Sequence, residues 1–338
     1  MYYLRYFKTQ AEAIGQASNI PTVAMVEGVD KVGYFDGDTS KLYTFTADGN
    51  FIKIEIAKLV CTYNVTSTTS ATQLLYESYD LSNIASMEVD GVDTMVANTY
   101  KFSTKGKHTV KFTLKDGVTS IGSSAFGFCT ELTSITIPDG VTSIEYEAFT
   151  RCSSLTSVVI PNSVTSIGAW AFDRCTALTS VVIPNSVTAL YANTFYNCTA
   201  LTSVVIPNSV TSIGNGPFRS CSSLTSITIP DSVTSIGNDA FSCCSSLTSI
   251  TISKGISKIS KRMFYGCGLT SVTIPDSVTS ILEDAFYKCR KLTSISYTGT
   301  VAQWKNIFRY QTTYSSWKTA VPATTVTCSD GICGLDDK

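Results

Sequence analysis

The segment LTSVVIPNSVT occurs three times, beginning at Leu155, Leu178 and Leu201. Identical units spaced every 23 residues constrain the fold more tightly than any single motif. A unit this short cannot bury its apolar face alone and becomes stable only when stacked on its neighbours. The same feature constrains function: a catalytic site needs several different side chains at one place, whereas verbatim repetition supplies the same few at many places.

Aligning on A-F-x-x-C extends the period to Phe126, Phe149, Phe172, Phe195, Phe218, Phe241, Phe264 and Phe286, with a last step of 22 in the copy that reads CGL. The full unit is L-T-S-I/V-x-I-P-D/N-x-V-T-S-I-G-x-x-A-F-x-x-C-x-x. A period of this length with the order L-x-x-L-x-L predicts a leucine-rich-repeat solenoid, in which one short strand per repeat joins a parallel sheet. Leu178, Val181 and Ile183 are expected to face inward, and Pro184 to end the strand because it has no amide hydrogen to donate. Val187 and Leu190, like Val164 and Ile167, mark a second extended piece returning to the core. Gly168 and Gly214 are read as turn residues, and Phe172 and Cys175 as one face of a helical turn.

Residues 2–56 mix a helical candidate, TQAEAIGQAS, with the strand pieces TVAMVE, KVGYF, KLYTFT and FIKIEI; ADGN between the last two reads as a hairpin turn. From Leu59 the pattern is clearly β, and the alternation of Tyr100, Phe102, Val110, Phe112 and Leu114 predicts a small β-sandwich. Placing Val118 on Val141 makes TVKFTLKDGVTSIG a partial repeat. The strand HTVKFTL is therefore expected to close the sandwich and open the solenoid sheet, covering its first edge. The fold class is mainly β, a solenoid of 23-residue repeats preceded by a small sandwich, divided as 1–57 (β-rich segment), 58–115 (sandwich), 116–296 (solenoid) and 297–338 (cap).

Formal net charge is −1 with 15% charged residues, which gives no field for nucleic acid or an anionic membrane. No apolar run approaches the roughly 18 to 20 residues of a spanning helix, so no direct membrane insertion is expected. The first twenty residues lack the apolar centre of a secretory signal, so either a signal has been removed or the protein reaches its place by another route.

Of twelve cysteines, eight share one repeat position: Cys129, Cys152, Cys175, Cys198, Cys221, Cys244, Cys267 and Cys289. Equivalent positions have parallel Cβ vectors, which suits a packed row of thiols and not a bridged one. Cys328 and Cys333, in CSDGIC, are placed to bridge if the tail folds back. There is no C-x-x-C pair and a single histidine, His108, which reads as a surface strand residue. No glycine-rich phosphate loop or catalytic spacing is present, so no catalytic residue, metal or cofactor is assigned.

Binding candidates fall in two places. Outward sheet positions carry Val159, Val182 and Val205 beside a row of serines, an apolar stripe unusual for an idle surface; the alternative is that short β-compatible side chains suit a crowded sheet. Where the repeats stop agreeing lie Tyr146, Trp170, Tyr191 and Tyr196 with Arg174, Arg262, Tyr265 and Tyr287, residue types enriched at binding hot spots. Their alternative is a loosely constrained outer surface. The basic cluster Lys254, Lys258, Lys261, Arg262, Lys288, Arg290 and Lys291 reads as a solvated face.

The copy LTSITIPDSVTSIGNDAFSCCSS resembles the repeat of the BspA-type leucine-rich-repeat family of bacterial and protist surface proteins, from Val118 to about Ser296. The tail from YTGTVAQWKNI to VTCSDG resembles the segment that often closes such arrays, and residues 58–115 are similar to immunoglobulin-like or PKD-type modules. Thr194 and Pro217 at the alanine position, Tyr191 at the glycine position, GISKISKRMF and the shortened CGL depart from the pattern. The resemblance implies a non-catalytic adhesion or binding module at the cell surface or outside the cell, recognising a protein or glycan on a host or neighbouring cell. The opening segment also resembles the starts of some phage or prophage structural proteins. A virion-borne structural or receptor-binding protein anchored by that segment therefore stands as the alternative.

Overall fold

The computed structural model describes residues 58–307 and 321–335, together with the strand backbones Val23–Ala24, Gly33–Phe35, Leu42–Phe45, Phe51–Ile54 and Phe308–Arg309. Those four strands lie inside the four strand pieces read from the sequence and pair antiparallel in chain order, with Phe45 opposite Phe51 across ADGN. The helical candidate TQAEAIGQAS lies outside the described residues.

From Leu132 onward the chain winds as a β-solenoid, and each coil contributes to two parallel ladders. The main ladder is built from the L-T-S-I/V segments: Leu132–Thr136, Ser157–Val159, Ser180–Val182, Ser203–Val205, Ser226–Thr228, Ser249–Thr251, Ser271–Ile274 and Ser294–Tyr297. The second is built from the V-T-S-I segments, from Ser120–Ile121 to Ser280–Ile281. Leu178, Val181, Ile183, Val187 and Leu190 are all buried, as the apolar pattern requires. The repeat-position phenylalanines form a continuous row. From Phe126 to Phe264, neighbouring rings are 5.1–5.7 Å apart and within 4–8° of parallel. Burying each ring stabilises the stack by about 1.5–3 kcal/mol, and no coil could do this alone.

Three sequence expectations change at this level. Phe172 and Cys175 do face inward together, but on a hydrogen-bonded turn, with Cys175 N–H donating to the Phe172 carbonyl at 3.2 Å, and not on a helix. Left-handed residues frame this turn in every coil, for example Trp170 (φ 60°) and Arg174 (φ 54°). Gly168 and Gly214 do not take positive φ. What they permit is close approach: a Cβ at Gly168 would lie 2.7 Å from the Glu145 carbonyl carbon, and one at Gly214 3.0 Å from the Leu190 carbonyl oxygen. HTVKFTL does not open the solenoid sheet. The strand beside Leu132–Thr136 is Lys58–Val65, running antiparallel to it, and Gly106–Leu114 pairs with the far side of Lys58–Val65. The partial repeat holds only in its second half, where Ser120–Ile121 stacks on Ser143–Ile144. The antiparallel strand thus covers the edge that the first repeat strand would otherwise leave open.

Residues 58–114 therefore share a six-stranded sheet with the first two coils. Its order is Ser157–Val159, Leu132–Thr136, Lys58–Val65, Gly106–Leu114, Ile84–Val89, Val92–Thr94. Only the short pair Thr72–Gln73 and Thr99–Tyr100 stands outside it. A sandwich needs two facing sheets of comparable extent, and the described strands supply one. One hydrophobic core runs from Leu59 to Leu335. At the other end Thr325–Cys328 continues the main ladder, Phe308–Arg309 continues the second, and the helix Val301–Asn306 starts with a capping box between Thr300 and Gln303.

Candidate functional site: the strand face and the turn side of the coils

Strand alternation sends the middle residue of each main strand into the core and its two neighbours outward. Val159, Val182 and Val205 are consequently 57%, 72% and 67% exposed. Val182 and Val205 are register partners, as are Ser180 and Ser203. The hydroxyls divide into two classes. The threonines of L-T-S donate to a carbonyl of the preceding coil, as Thr156 does to Thr133 at 3.0 Å and Thr202 to Thr179 at 3.1 Å. Those of V-T-S do likewise, as Thr165 does to Thr142 at 3.2 Å. Ser157, Ser180 and Ser203 are exposed and make no side-chain bond within the described residues. A valine stripe edged by uncommitted hydroxyls is thus presented to solvent.

The aromatic candidates belong to the turn side, and the structure does not bring them to the valines. Tyr146 and Tyr191 are each 49% exposed. Trp170 meets Tyr196 edge to face at 5.7 Å, and the guanidinium groups of Arg174 and Arg219 lie 5.9 and 5.7 Å from the Tyr196 ring centre. Arg219 was not a sequence candidate. It occupies the position after the repeat phenylalanine, as Tyr196 does one coil earlier, so stacking equivalent positions would have found it. In the same row the Thr150 hydroxyl donates to the Asp173 carboxylate at 3.0 Å. Burial pushes the Asp173 carboxyl above its ordinary value, although Thr150, Arg174 and Arg151 all favour its ionised form. In the basic cluster Lys261 pairs with Glu283 at 2.6 Å, and Arg262 lies against Asp239 and the Tyr265 ring.

Both ladders are interrupted at the same coil boundary. The main sheet ends at Ser157–Val159 and a new one starts at Ser180–Val182; the second ladder ends at Ser166–Ile167 and resumes at Ala189–Leu190. The turn side stays bonded there, with Trp170, Phe172 and Arg174 N–H groups donating to Ala192, Thr194 and Tyr196 at 3.0, 2.8 and 2.7 Å. Val158 and Ile160, whose counterparts Val181 and Ile183 are buried, are half-buried at this break. The coil above the break carries Tyr191 where its neighbours carry Gly168 and Gly214. At those glycines a Cβ would press on backbone of the coil below, and at this position the Tyr191 N–H makes no bond to that coil. The second ladder is interrupted once more, below Lys258–Ile259, where Ser260 replaces the glycine. Glu145 and Leu282 also replace it yet keep their bonds, both at 2.9 Å. Glu145 stacks on the incomplete first coil and Leu282 on the coil lacking one residue.

The chemical candidates resolve into structural roles. Seven ladder thiols, Cys152 to Cys289, each donate to the repeat phenylalanine carbonyl of the preceding coil at 2.9–3.2 Å. Burial raises their pKa values, that of Cys289 to about 12, so they stay protonated donors. His108, expected at the surface, is buried. Its Nδ1 lies 2.7 Å from the Asp90 carboxylate, and its Nε2 lies 3.0 Å from the Thr104 carbonyl and 3.3 Å from the Thr104 hydroxyl. An acid, an imidazole and a hydroxyl in line resemble a nucleophile triad. Here, however, Nε2 lies nearer the Thr104 carbonyl, which can only accept, than the Thr104 hydroxyl. The sequence concealed this because the partner lies 18 residues away, on the adjoining turn. Among the described residues no three His, Cys, Asp or Glu side chains are grouped to hold a metal ion, and no helix is long and apolar enough to cross a membrane.

A family model described as BspA type Leucine rich repeat region matches residues 97–225 and 211–325, in six copies. Among solved structures, a leucine rich cell surface protein of Faecalibacterium prausnitzii is 34% identical over 59% of this chain, with a TM-score of 0.43. A leucine-rich repeat protein of Bacteroides ovatus is 26% identical over 70% of this chain, with a TM-score of 0.51. The chain spans 62% and 63% of the lengths of those two proteins. No protein of curated function matches the sequence.

Proposed function

The chain belongs to the BspA type leucine-rich-repeat family, and from that premise we propose that it is a non-catalytic binding module of the bacterial surface type, acting on a protein or glycan partner. The observation that carries this reading is the exposed stripe Val159, Val182 and Val205, edged by Ser157, Ser180 and Ser203. Valine side chains supply apolar area, and serine hydroxyls can donate to or accept from a partner without the desolvation cost of a charge. The nearly charge-free stretch between Cys152 and Ile250 suits uncharged partners such as sugars or polar peptide surfaces. Affinity would come from several weak contacts along this face. Trp170, Tyr196, Arg174 and Arg219 offer a second, separate face of hot-spot composition.

The test is a glycan and protein array probed with the full chain and with V182E and V205E. Both substitutions are outward, so the circular dichroism spectrum should be unchanged. A partner that uses the strand face should bind at least about tenfold more weakly to either variant. Retained binding by both, with loss in Y196A, would move the site to the turn side.

A further inference from the structure

The C-terminal hairpin pairs Thr325–Cys328 with Gly331–Gly334, setting Cys328 opposite Gly331 and Cys333 opposite Val326. Cys328 and Cys333 are therefore diagonal neighbours on one face of a two-stranded ribbon. That face is the inward one, since Val326, Cys328 and Cys333 are all buried. Their sulfurs lie 3.9 Å apart, the one pair of cysteine sulfurs in contact among the described residues. The ladder thiols differ: those from Cys152 to Cys289 are directed at a carbonyl one coil away, and that of Cys129 at the Gly127 carbonyl, not at another sulfur.

We propose that Cys328 and Cys333 are a redox modification site, a dithiol that closes to a disulfide and staples the hairpin over the last coil. The sulfurs are already in contact, and because diagonal neighbours in a hairpin stand about 7–8 Å apart, closure combines side-chain rotation with a small local approach of the two strands. The oxidant is a low-molecular-weight disulfide. The thiolate of one cysteine attacks it and releases one thiol; the second cysteine attacks the resulting mixed disulfide and releases the other. Two electrons pass from the cysteines to the oxidant, and the two cysteine protons end on the released thiols. Burial raises the Cys328 pKa to about 11, so closure should quicken as pH rises.

The position gives the bond a use. Through Ser296 opposite Thr327, the hairpin covers the end of the main sheet, the place where a repeat stack frays first. Beyond that pairing, the Ser329 N–H donates to the Gly299 carbonyl at 2.9 Å and the Val301 N–H to the Asp330 carboxylate at 2.7 Å. A staple would lock this cap in an oxidising setting and leave it able to open in a reducing one.

Both cysteines fall in the single tryptic peptide after Lys318. The full chain is incubated with oxidised glutathione, alkylated in denaturant, digested and analysed by mass spectrometry. That peptide should lose two hydrogens and take up no alkylating agent, while peptides carrying the ladder cysteines are fully alkylated. Hydrogen exchange of Thr325 to Leu335 should slow by about tenfold or more on oxidation, and C328S should show no such change. Alkylation of both cysteines after oxidation, a glutathione adduct that never closes, or bridging of a ladder pair would each overturn the proposal.

Discussion

The coil that begins at Leu178 meets its two neighbours in different ways, although all three coils share the same eleven opening residues. Toward the coil at Leu201 both ladders are complete: Ser180, Val181 and Val182 pair with Ser203, Val204 and Val205, and Ala189 and Leu190 pair with Ser212 and Ile213. Toward the coil at Leu155 neither ladder forms, and Thr179 reaches Thr156 only at 3.4 Å. Identical strands cannot explain unequal interfaces. The difference lies in the next three residues, Ser-Ile-Gly in the outer two coils and Ala189-Leu190-Tyr191 in the middle one. Apolar repetition fixes what each coil buries; a glycine governs how closely it can sit on the coil below.

Core truncation on either side should have the largest effect. Phe195→Ala and Phe218→Ala should each lose about 3–5 kcal/mol. F195A should lose the less of the two, because a coil with interrupted ladders can settle into the cavity; chemical denaturation decides the order. Gly168→Ala comes next, at about 1–3 kcal/mol, since its Cβ would press on Glu145 and Tyr146 backbone. It should also interrupt the ladder between Ser143–Ile144 and Ser166–Ile167. Tyr191→Gly should move global stability by no more than about 1 kcal/mol, because restored bonds of about 1 kcal/mol each are offset by the entropy a glycine loses on folding.

How much of this was legible in the sequence follows from what each residue touches. Leu178, Val181 and Phe195 were readable as core because their roles recur in every copy. The seven binding candidates were found exposed or half-buried but in two separate groups, since a linear pattern does not say which corner of a coil a residue occupies. Gly168 does open a turn, its carbonyl accepting from the Ala171 N–H at 3.3 Å, but the sequence did not show that close approach to the coil below is what selects glycine there. The capping role of Lys58–Val65 was hidden because its partner, Leu132–Thr136, is distant in sequence and the pairing carries no repeat signature.

Asp173, on the coil below the break, offers a smaller test. Its folded-state pKa is raised, so the native protein holds that proton more tightly than the unfolded chain does. Stability should therefore decline as pH rises from below the ordinary aspartate value through the raised one. Because Asp173→Asn removes only this declining contribution, the melting temperature of the variant relative to the unaltered protein should be higher at pH 7 than at pH 4. An equal difference at the two pH values would contradict a raised Asp173 pKa.

The claim that Tyr191 holds two otherwise matching coils apart is tested most directly by native-state hydrogen exchange, comparing the amides of Thr188 and Tyr191 with those of Thr211 and Gly214. The latter two donate to Thr188 and Leu190 at 2.9 and 2.8 Å, and the former two have no such partner in the coil below. Thr188 and Tyr191 should exchange at least about a hundredfold faster, and in the Tyr191→Gly protein the amides at 188 and 191 should become as protected as their counterparts. Equal protection at all four positions in the unaltered protein would contradict the claim.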